Sequence, residues 1–231
     1  MFRITNIHQI EMTSHCNLRC RYCTSPNLKR PKVHMSAEHY ALALKWARMF
    51  VHGYGQRSLN LAGIGESTMH PDFVRNVHLA REAVGPGCEL VLATNGVAVT
   101  EEMMRGIAPA RPKVFVSMHR PEKAGPAIEL AKKYRLFSGA SADPSLAATN
   151  WAGQVKWHVS VPQRRQCMWV KGGMVMVMAD GRVTKCSYDA SGVGVICNVE
   201  DDLRSFATSP YSLCATCDQD VGVELSKEAV A

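Results

Sequence analysis

The sequence contains no long apolar segment. Its most apolar run, GGMVMVMA, is far too short to cross a bilayer. The first residues, MFRITNIHQIEM, mix charged and polar side chains with apolar ones, whereas a secretory signal peptide needs an uninterrupted apolar region there. We therefore expect a cytoplasmic protein that makes no contact with a membrane.

The sequence also lacks internal repeats and low-complexity tracts, and it has fewer acidic than basic residues. Its 231 residues suffice for one domain of barrel size, or for such a domain with a small appendage. The formal net charge is +7, and the densest basic stretch contains Arg19, Arg21, Lys29, Arg30 and Lys32. Such a stretch is either a solvated loop or a surface that attracts an acidic electron donor, a phosphorylated substrate or a nucleic acid.

Cysteine, in contrast, is abundant, with nine residues. In a reducing cytosol, thiols bind metal or perform chemistry more often than they form disulfides. Two cysteines stand apart: Cys88 is predicted to be a small buried residue, and the role of Cys197 is left open. The other seven fall into two groups, which are Cys16, Cys20 and Cys23, and then Cys167, Cys186, Cys214 and Cys217.

The first two thirds of the chain alternate strand and helix patterns. Ser36 and Thr100 are predicted N-caps, and Pro71 suits the first turn of a helix. This alternation favours a parallel sheet that is open or closed into a barrel. The predicted strands are RITNIHQIEM, SLNLAGIGE, ELVLATNG, KVFVSMHR, RLFSGASAD and QVKWHVS, and the predicted helices are SAEHYALALKWARMFVHGY, PDFVRNVHLAREAV, TEEMMRGIA and AGPAIELAKKY.

The first cysteine group directly follows the first predicted strand, at the end where (β/α) barrels carry their active sites. Soft thiolates suit zinc or an iron–sulfur cluster. A closed structural site needs four ligands, whereas this loop supplies three, which on a four-iron cluster leaves one iron open. Completion of a zinc site by His15 is the alternative.

The segment CNLRCRYC resembles the signature of the radical SAM enzymes, Cys-x-x-x-Cys-x-aromatic-Cys. The resemblance implies that Cys16, Cys20 and Cys23 hold a 4Fe–4S cluster whose open iron is chelated by S-adenosylmethionine (SAM). It also implies reductive cleavage of SAM to a 5′-deoxyadenosyl radical, with Tyr22 beside the adenine.

The segment GIGES, after the second predicted strand, resembles the Gly-Gly-Glu motif of that family. It keeps Gly63, Gly65 and Glu66, with Ile64 in place of one glycine and Ser67 in place of the usual proline. The resemblance implies a contact with SAM. Glycines let the backbone approach a ligand, and backbone carbonyls together with the glutamate accept hydrogen bonds from an ammonium group.

The next two predicted strands end in ATNG and VSMH, which resemble further SAM-binding positions of the family. Asn95 lies in the first segment, and Ser117 in the second is implied to face the carboxylate or ribose of SAM. His119 is a candidate for substrate binding or proton transfer, with an ordinary polar loop residue as the alternative. His158 and Ser160 are weaker candidates at the end of the sixth strand.

The second cysteine group resembles the SPASM extension of radical SAM enzymes. Thirteen residues separate Cys167 from Gly181, four separate Gly181 from Cys186, and Cys214 and Cys217 follow as Cys-x-x-Cys. Because no cysteine comes later, the tail looks like the shorter twitch version, which implies a second, auxiliary 4Fe–4S cluster. A four-cysteine zinc knuckle is the alternative.

The expected architecture is α/β, with a partial TIM-like radical SAM barrel of five or six (β/α) units over residues 1–162 and a twitch/SPASM-like module over residues 163–231. A closed eight-unit barrel needs about 250 residues, so the barrel is expected to be partial. The resemblance implies a radical SAM enzyme that takes a hydrogen atom from a substrate carbon.

Net oxidation of a small molecule is the favoured reaction, because a second cluster with four cysteine ligands suits electron transfer. The chain also begins at its first strand, with no recognition domain before it. The alternatives are modification of a peptide (RiPP maturation), of a nucleotide or of a nucleic acid, redox-neutral epimerisation or isomerisation, and a non-enzymatic zinc-binding interaction protein. The expected protein partner is an acidic electron donor of the flavodoxin or ferredoxin type.

Overall fold

The fold was examined in a computed structural model that describes residues 1–141, 151–155 and 167–217. His158, Ser160 and most of the predicted sixth strand lie outside the described residues. No helix in the described part of the chain is long and apolar enough to cross a membrane.

Strands and helices alternate as the sequence predicts over residues 1–141. The strands are β1 (Phe2–Arg3), β2 (Asn6–Ile10), β3 (Ser58–Asn60), β4 (Glu89–Thr94), β5 (Lys113–Val116), β6 (Phe137–Ala140), β7 (Met174–Val177), β8 (Arg182–Thr184), β9 (Val195–Asn198) and β10 (Ala207–Thr208). The helices are α1 (Ala37–Tyr54), α2 (Phe73–Val84), α3 (Glu101–Ile107), α4 (Pro121–Lys133) and the short α5 (Met168–Lys171).

Eight of the strands form one sheet, in the order β6-β5-β4-β3-β2-β7-β8-β9. Every neighbouring pair from β6 to β7 is parallel, and β8 and β9 continue the sheet in antiparallel pairs. The carboxyl ends of β2 to β5 therefore lie side by side, and the loops that follow them converge. The short strands β1 and β10 form a separate antiparallel pair.

The helix ends follow the predicted capping in two cases. The Ser36 hydroxyl accepts a hydrogen bond from the backbone N–H of His39, and the Thr100 hydroxyl accepts one from that of Met103. Pro71, in contrast, precedes α2, which begins at Phe73. The fourth helix begins at Pro121, earlier than predicted, because proline's fixed φ suits a first helical turn.

The hydrophobic core lies between the helices and one face of the sheet. Strand residues such as Leu59, Leu90 and Val114 pack there with helix residues such as Phe50 and Phe73. Strands β7 to β9, from the second predicted domain, extend the sheet of residues 1–162. Closure of the sheet into a partial barrel, and the division into two domains, stay predictions.

Candidate functional site

A cavity of about 230 Å³ opens at the carboxyl ends of β2 to β5. It unites loops that are far apart in the sequence, as expected for neighbouring parallel strands. Ala62, Ile64 and Trp151 contribute to its wall in addition to the predicted residues. The predicted site residues that line it are Cys16, Cys20, Cys23, Gly63, Gly65, Glu66, Asn95, Ser117 and His119.

Two of the three cysteines of the first group accept hydrogen bonds from backbone N–H groups at this cavity. The backbone N–H of Leu18 donates to Sγ of Cys16 at 3.5 Å, and that of Ser25 donates to Sγ of Cys23 at 3.4 Å. The Asn95 side-chain amide lies 3.9 Å from Sγ of Cys16. Such N–H groups stabilise thiolate sulfur and are typical of iron–sulfur sites.

The surroundings of the cysteine loop disfavour negatively charged thiolates unless a positive group is bound there. Burial raises the pKa of Cys16, and the nearby Glu66 and other thiols raise it further. The pKa of Cys23 is likewise raised, first by burial and then by Cys20. Three thiolates in this place therefore need a positive group to stabilise them, and bound iron would supply that charge.

The carboxylate of Glu66 is buried and joins the loop after β3 to the end of β4. Its Oε1 accepts hydrogen bonds from the Thr68 hydroxyl at 2.7 Å and the Thr94 hydroxyl at 2.8 Å, and its Oε2 accepts one from the backbone N–H of Asn95 at 2.7 Å. The side chain thus holds the end of β4 against the loop that follows β3. This structural role was not predicted from the sequence.

The two glycines of the GIGE segment allow close packing inside the protein. A Cβ on Gly63 would lie 2.2 Å from Cγ of Glu11, and one on Gly65 would lie 2.2 Å from the carbonyl oxygen of Thr13 and 2.6 Å from that of His15. We expected these glycines to make room for a ligand. Although both line the cavity, the structural reason for glycine is close contact with β2 and the cysteine loop.

A buried ion pair that the sequence did not predict supports the same loops. The Nη2 of Arg30 lies 2.8 and 2.6 Å from the two carboxylate oxygens of Glu11, and both side chains are almost fully buried. Glu11 also accepts from the backbone N–H groups of Ile64 and Ala179, each at 2.9 Å, while Nε of Arg30 donates to the carbonyl of Ala190. Arg30 is therefore a structural residue.

The remaining members of the predicted basic stretch are Arg19, Arg21, Lys29 and Lys32, and all four are exposed. They lie on or beside the loop that carries the first cysteine group. They form a positively charged surface next to the cavity, which we call the basic rim.

Tyr22 and His119 connect two of the loops around the cavity. Oη of Tyr22 lies 2.8 Å from Nδ1 of His119, and the ring centroids are 5.5 Å apart. Burial lowers the pKa of His119, which favours the neutral imidazole in this contact. Tyr22 thus positions His119 at the cavity wall.

Trp151 is a cavity residue that sequence reasoning missed, since it ends a polar stretch with no recognised motif. Its indole Nε1–H donates to the carbonyl of Tyr22 at 3.1 Å, and its ring meets that of Tyr188 at 5.4 Å. The Gln154 side chain donates to the carbonyls of both Trp151 and Tyr188. Trp151 has a positive φ of 52°, an uncommon conformation for a bulky residue. This aromatic link connects the first cysteine loop to the region of the second.

The second cysteine group is brought together from distant parts of the sequence. Burial raises the pKa of Cys186, and electrostatic repulsion from Cys167, Cys217 and Cys214 raises it further. Cys186 therefore lies close enough to each of the other three thiols to interact with it electrostatically. The backbone N–H of Tyr188 donates to Sγ of Cys186 at 3.3 Å, as in the first group.

Neither group forms a compact site for one bare ion. In the described part of the chain, no three His, Cys, Asp or Glu side chains converge closely enough to hold a single metal ion. His15, the alternative zinc ligand, stacks on His34 with ring centroids 4.5 Å apart.

The two ungrouped cysteines are both in the protein interior. Cys88 precedes β4, is almost completely buried and belongs to the hydrophobic core, as predicted. Cys197 lies on β9 opposite Val183 and also packs in the core, where burial raises its pKa to about 12.

The sequence of this chain is similar to those of known radical SAM proteins. Residues 10–162 match the sequence profile of the Radical SAM superfamily. Over 99 residues the chain is 32% identical to the tungsten-containing aldehyde ferredoxin oxidoreductase cofactor-modifying protein of Pyrococcus furiosus. That match covers 43% of this chain and only 26% of the relative.

Solved structures share the fold at low sequence identity. BtrN in complex with AdoMet and 2-DOIA superposes with a TM-score of 0.71 at 18% identity, over 89% of this chain and 86% of that chain. Native anSMEcpe with bound AdoMet gives a TM-score of 0.60 at 18% identity, over 85% of this chain and 79% of that chain. These likenesses establish a common fold.

Proposed function

This chain belongs to the radical SAM superfamily, and we propose that it cleaves SAM reductively and takes a hydrogen atom from a carbon of a small molecule, for a net oxidation. The observation that carries the proposal is the cavity that joins the cysteine loop with the loop containing Glu66 and with Asn95 and Ser117. When bound, a 4Fe–4S cluster supplies the electron that cleaves SAM to a 5′-deoxyadenosyl radical.

Different residues of the cavity would bind the cluster and SAM. The thiolates of Cys16, Cys20 and Cys23 would hold the cluster, and backbone N–H groups stabilise the sulfurs of Cys16 and Cys23. The carbonyls of the GIGE segment would accept from the SAM ammonium, and Glu66 fixes that segment through its hydrogen bonds. Asn95 and Ser117 contribute polar contacts.

Tyr22 would lie beside the adenine, while His119 would orient the substrate or move a proton. The protein's contribution is to bind and orient the reactants and to exclude water.

We also propose that Cys167, Cys186, Cys214 and Cys217 hold an auxiliary 4Fe–4S cluster in a twitch-type module. Their proximity and the buried position of Cys186 support this assignment. A cluster with four protein ligands has no open iron, so it suits acceptance of an electron from a substrate radical.

The experiment compares metal content and SAM cleavage in matched variants. Cys20→Ala should abolish 5′-deoxyadenosine formation by reduced, reconstituted protein. Replacement of Cys16, Cys20 and Cys23 together by Ala should leave about four irons per chain, against about eight in the wild type. Cys197→Ala is the control and should keep the wild-type iron content. Wild-type turnover by Cys20→Ala would refute the assignment of the first cluster, and zinc in the triple variant would refute the second.

The basic rim is proposed to dock an acidic electron donor of the flavodoxin or ferredoxin type. Opposite charges accelerate association, and salt screens them. Activity with a protein donor should fall steeply with ionic strength, whereas activity with dithionite should not. Equal salt dependence of the two assays would contradict this docking.

A further inference from the structure

A second cavity, of about 640 Å³, opens at the edge of the sheet opposite the cysteine loop. It lies at the amino-terminal ends of the parallel strands, because Arg57 precedes β3, Cys88 precedes β4 and Lys113 begins β5. Strand β4 has six residues, so its length alone separates the two cavities by roughly 17 Å. The volume of the second cavity is typical of pockets that bind small molecules.

The wall of this cavity has an excess of positive charge. Four basic residues line it, and Glu89 is the one acidic residue of the wall within the described ranges. The Glu89 carboxylate forms an ion pair with the Lys113 ammonium, so these two charges offset each other. Arg57, Arg81 and Arg111 form no ion pair with a carboxylate in the part of the chain that the structure describes. Three positive charges at one cavity attract an anion.

Arg81 provides a fixed cation at this wall. Its Nε donates to the carbonyl of Ala110 at 2.8 Å, and its Nη1 donates to the carbonyls of Gly85 and Cys88 at 2.5 and 2.7 Å. Its Nη2 makes no hydrogen bond to any residue that the structure describes. Burial lowers the pKa of Arg81, so its charge lacks the stabilisation that a bound anion would give. A guanidinium held in this way is suited to contact an anionic oxygen.

Gly87 leaves open space beside Arg81 in the loop between α2 and β4. A Cβ on Gly87 would have no atom within 4 Å, and its φ is not positive. Neither close packing nor backbone conformation therefore requires glycine in this place. Without a side chain, the backbone of the loop can be approached closely by a ligand.

The composition of the wall limits the class of ligand. Guanidinium groups bind phosphate through two parallel hydrogen bonds, which makes arginine well suited to phosphate recognition. One phosphate group carries about −1.5 to −2 charges near pH 7, so two are needed to balance three arginines. No aromatic side chain lines the cavity among the described residues, so a nucleic-acid base would have no stacking partner there.

We propose that Arg57, Arg81 and Arg111 bind a small non-aromatic molecule that carries two phosphate groups, such as a sugar bisphosphate. Arg81 makes the fixed inner contact, while the exposed Arg57 and Arg111 contact the ligand from the rim of the cavity. Because this site and the cysteine loop lie at opposite edges of the sheet, the ligand is not the substrate of the proposed reaction. The inference is therefore independent of the proposed function.

The test is calorimetric titration of the reconstituted protein at a constant ionic strength of about 0.15 M. The probes are fructose 1,6-bisphosphate and glucose 1,6-bisphosphate, with fructose 6-phosphate and fructose as comparators. At least one bisphosphate should bind about tenfold more tightly than the monophosphate, and fructose should not bind.

Matched variants locate the binding. Arg57→Gln and Arg111→Gln should each weaken bisphosphate binding about tenfold, because each removes a charge-assisted hydrogen bond. Both side chains are exposed, so the melting temperatures of the ligand-free variants should equal that of the wild type. Arg19→Gln makes the same charge change on the basic rim and should bind the bisphosphate normally.

Failure of both bisphosphates to bind would overturn the proposal. So would unchanged binding by Arg57→Gln and Arg111→Gln, or an equal loss of affinity in Arg19→Gln, which would indicate attraction to the net charge alone. An oligothymidylate of about ten nucleotides tests for nucleic acid instead. If it bound more tightly than either bisphosphate and Arg111→Gln weakened it, the cavity would be assigned to nucleic acid and the proposal would be wrong.

Discussion

Oη of Tyr22 lies 2.8 Å from Nδ1 of His119, and this contact joins the cysteine loop to the loop after β5. The direction of this hydrogen bond depends on the tautomer of His119, since the phenol can donate or accept. Burial of the imidazole disfavours its protonated form, so acid should weaken the fold around this contact.

The pH dependence of stability follows from the pKa of His119. Burial lowers this pKa in the folded protein. The unfolded chain has an ordinary histidine pKa of about 6.5 and therefore binds the proton more readily. Stability should therefore decrease as the pH falls below about 6.5. The melting temperature between pH 7.5 and 5.5 is the measurement, and His119→Gln should reduce its slope. An unchanged slope would show that His119 does not contribute.

Gly65→Ala should disrupt the first cysteine group. The new Cβ would meet backbone oxygens of Thr13 and His15, and a backbone cannot move aside as a flexible side chain can. The cysteine loop should shift, and the iron content should fall from about eight to about four per chain. Gly87→Ala, where nothing lies within 4 Å of the new Cβ, is the control and should keep full iron content. Full iron content in Gly65→Ala would contradict this account.

Glu11→Gln should destabilise the fold strongly. Arg30 would keep its buried charge without a carboxylate partner, and its Nη1 already has no hydrogen bond within the described residues. The expected loss in the free energy of unfolding is about 3–5 kcal/mol. Glu89→Gln breaks the exposed pair with Lys113 and should cost about 1 kcal/mol or less. Chemical denaturation measures both, and equal losses would show that burial of the Glu11–Arg30 pair is unimportant.

Gly153→Ala should loosen the second cysteine group. Gly153 has a φ of +80°, and a Cβ would lie 2.6 Å from Oγ1 of Thr216, which donates to the carbonyl of Ala152. Loss of that contact should release the segment with Cys214 and Cys217, seen as faster proteolysis of the tail and loss of iron. Gly125→Ala, in open space on α4, should be harmless. Proteolysis at the wild-type rate in Gly153→Ala would rule out this anchoring role.

Local patterns in the sequence predicted much of the fold. The alternation of strands and helices, the caps at Ser36 and Thr100 and the position of the cysteine loop after β2 all depend on neighbouring residues. Because parallel strands align their carboxyl ends, the convergence of Glu66 and Asn95 on one cavity also followed from the order of the strands.

The partners of individual side chains could not be predicted in the same way. Arg30 was assigned to a basic surface, yet it is buried against Glu11, and only the assembled fold brings these two together. The contact of Trp151 with Tyr22 spans 129 residues and has no local signal. A β-bulge at His8 depends on the pairing of β2 with β7, which come from opposite ends of the chain.

The position of β2 between β3 and β7 has a consequence for dissection of the chain. The family profile ends at residue 162, but a fragment cut there would lose β7 and turn β2 into an edge strand. The unpaired backbone groups of an apolar edge strand promote aggregation, and Glu11 would lose the N–H donor of Ala179. The matched segment thus lacks the strand that pairs with one side of β2, and truncated versions should be insoluble even though they keep every residue of the first cysteine group.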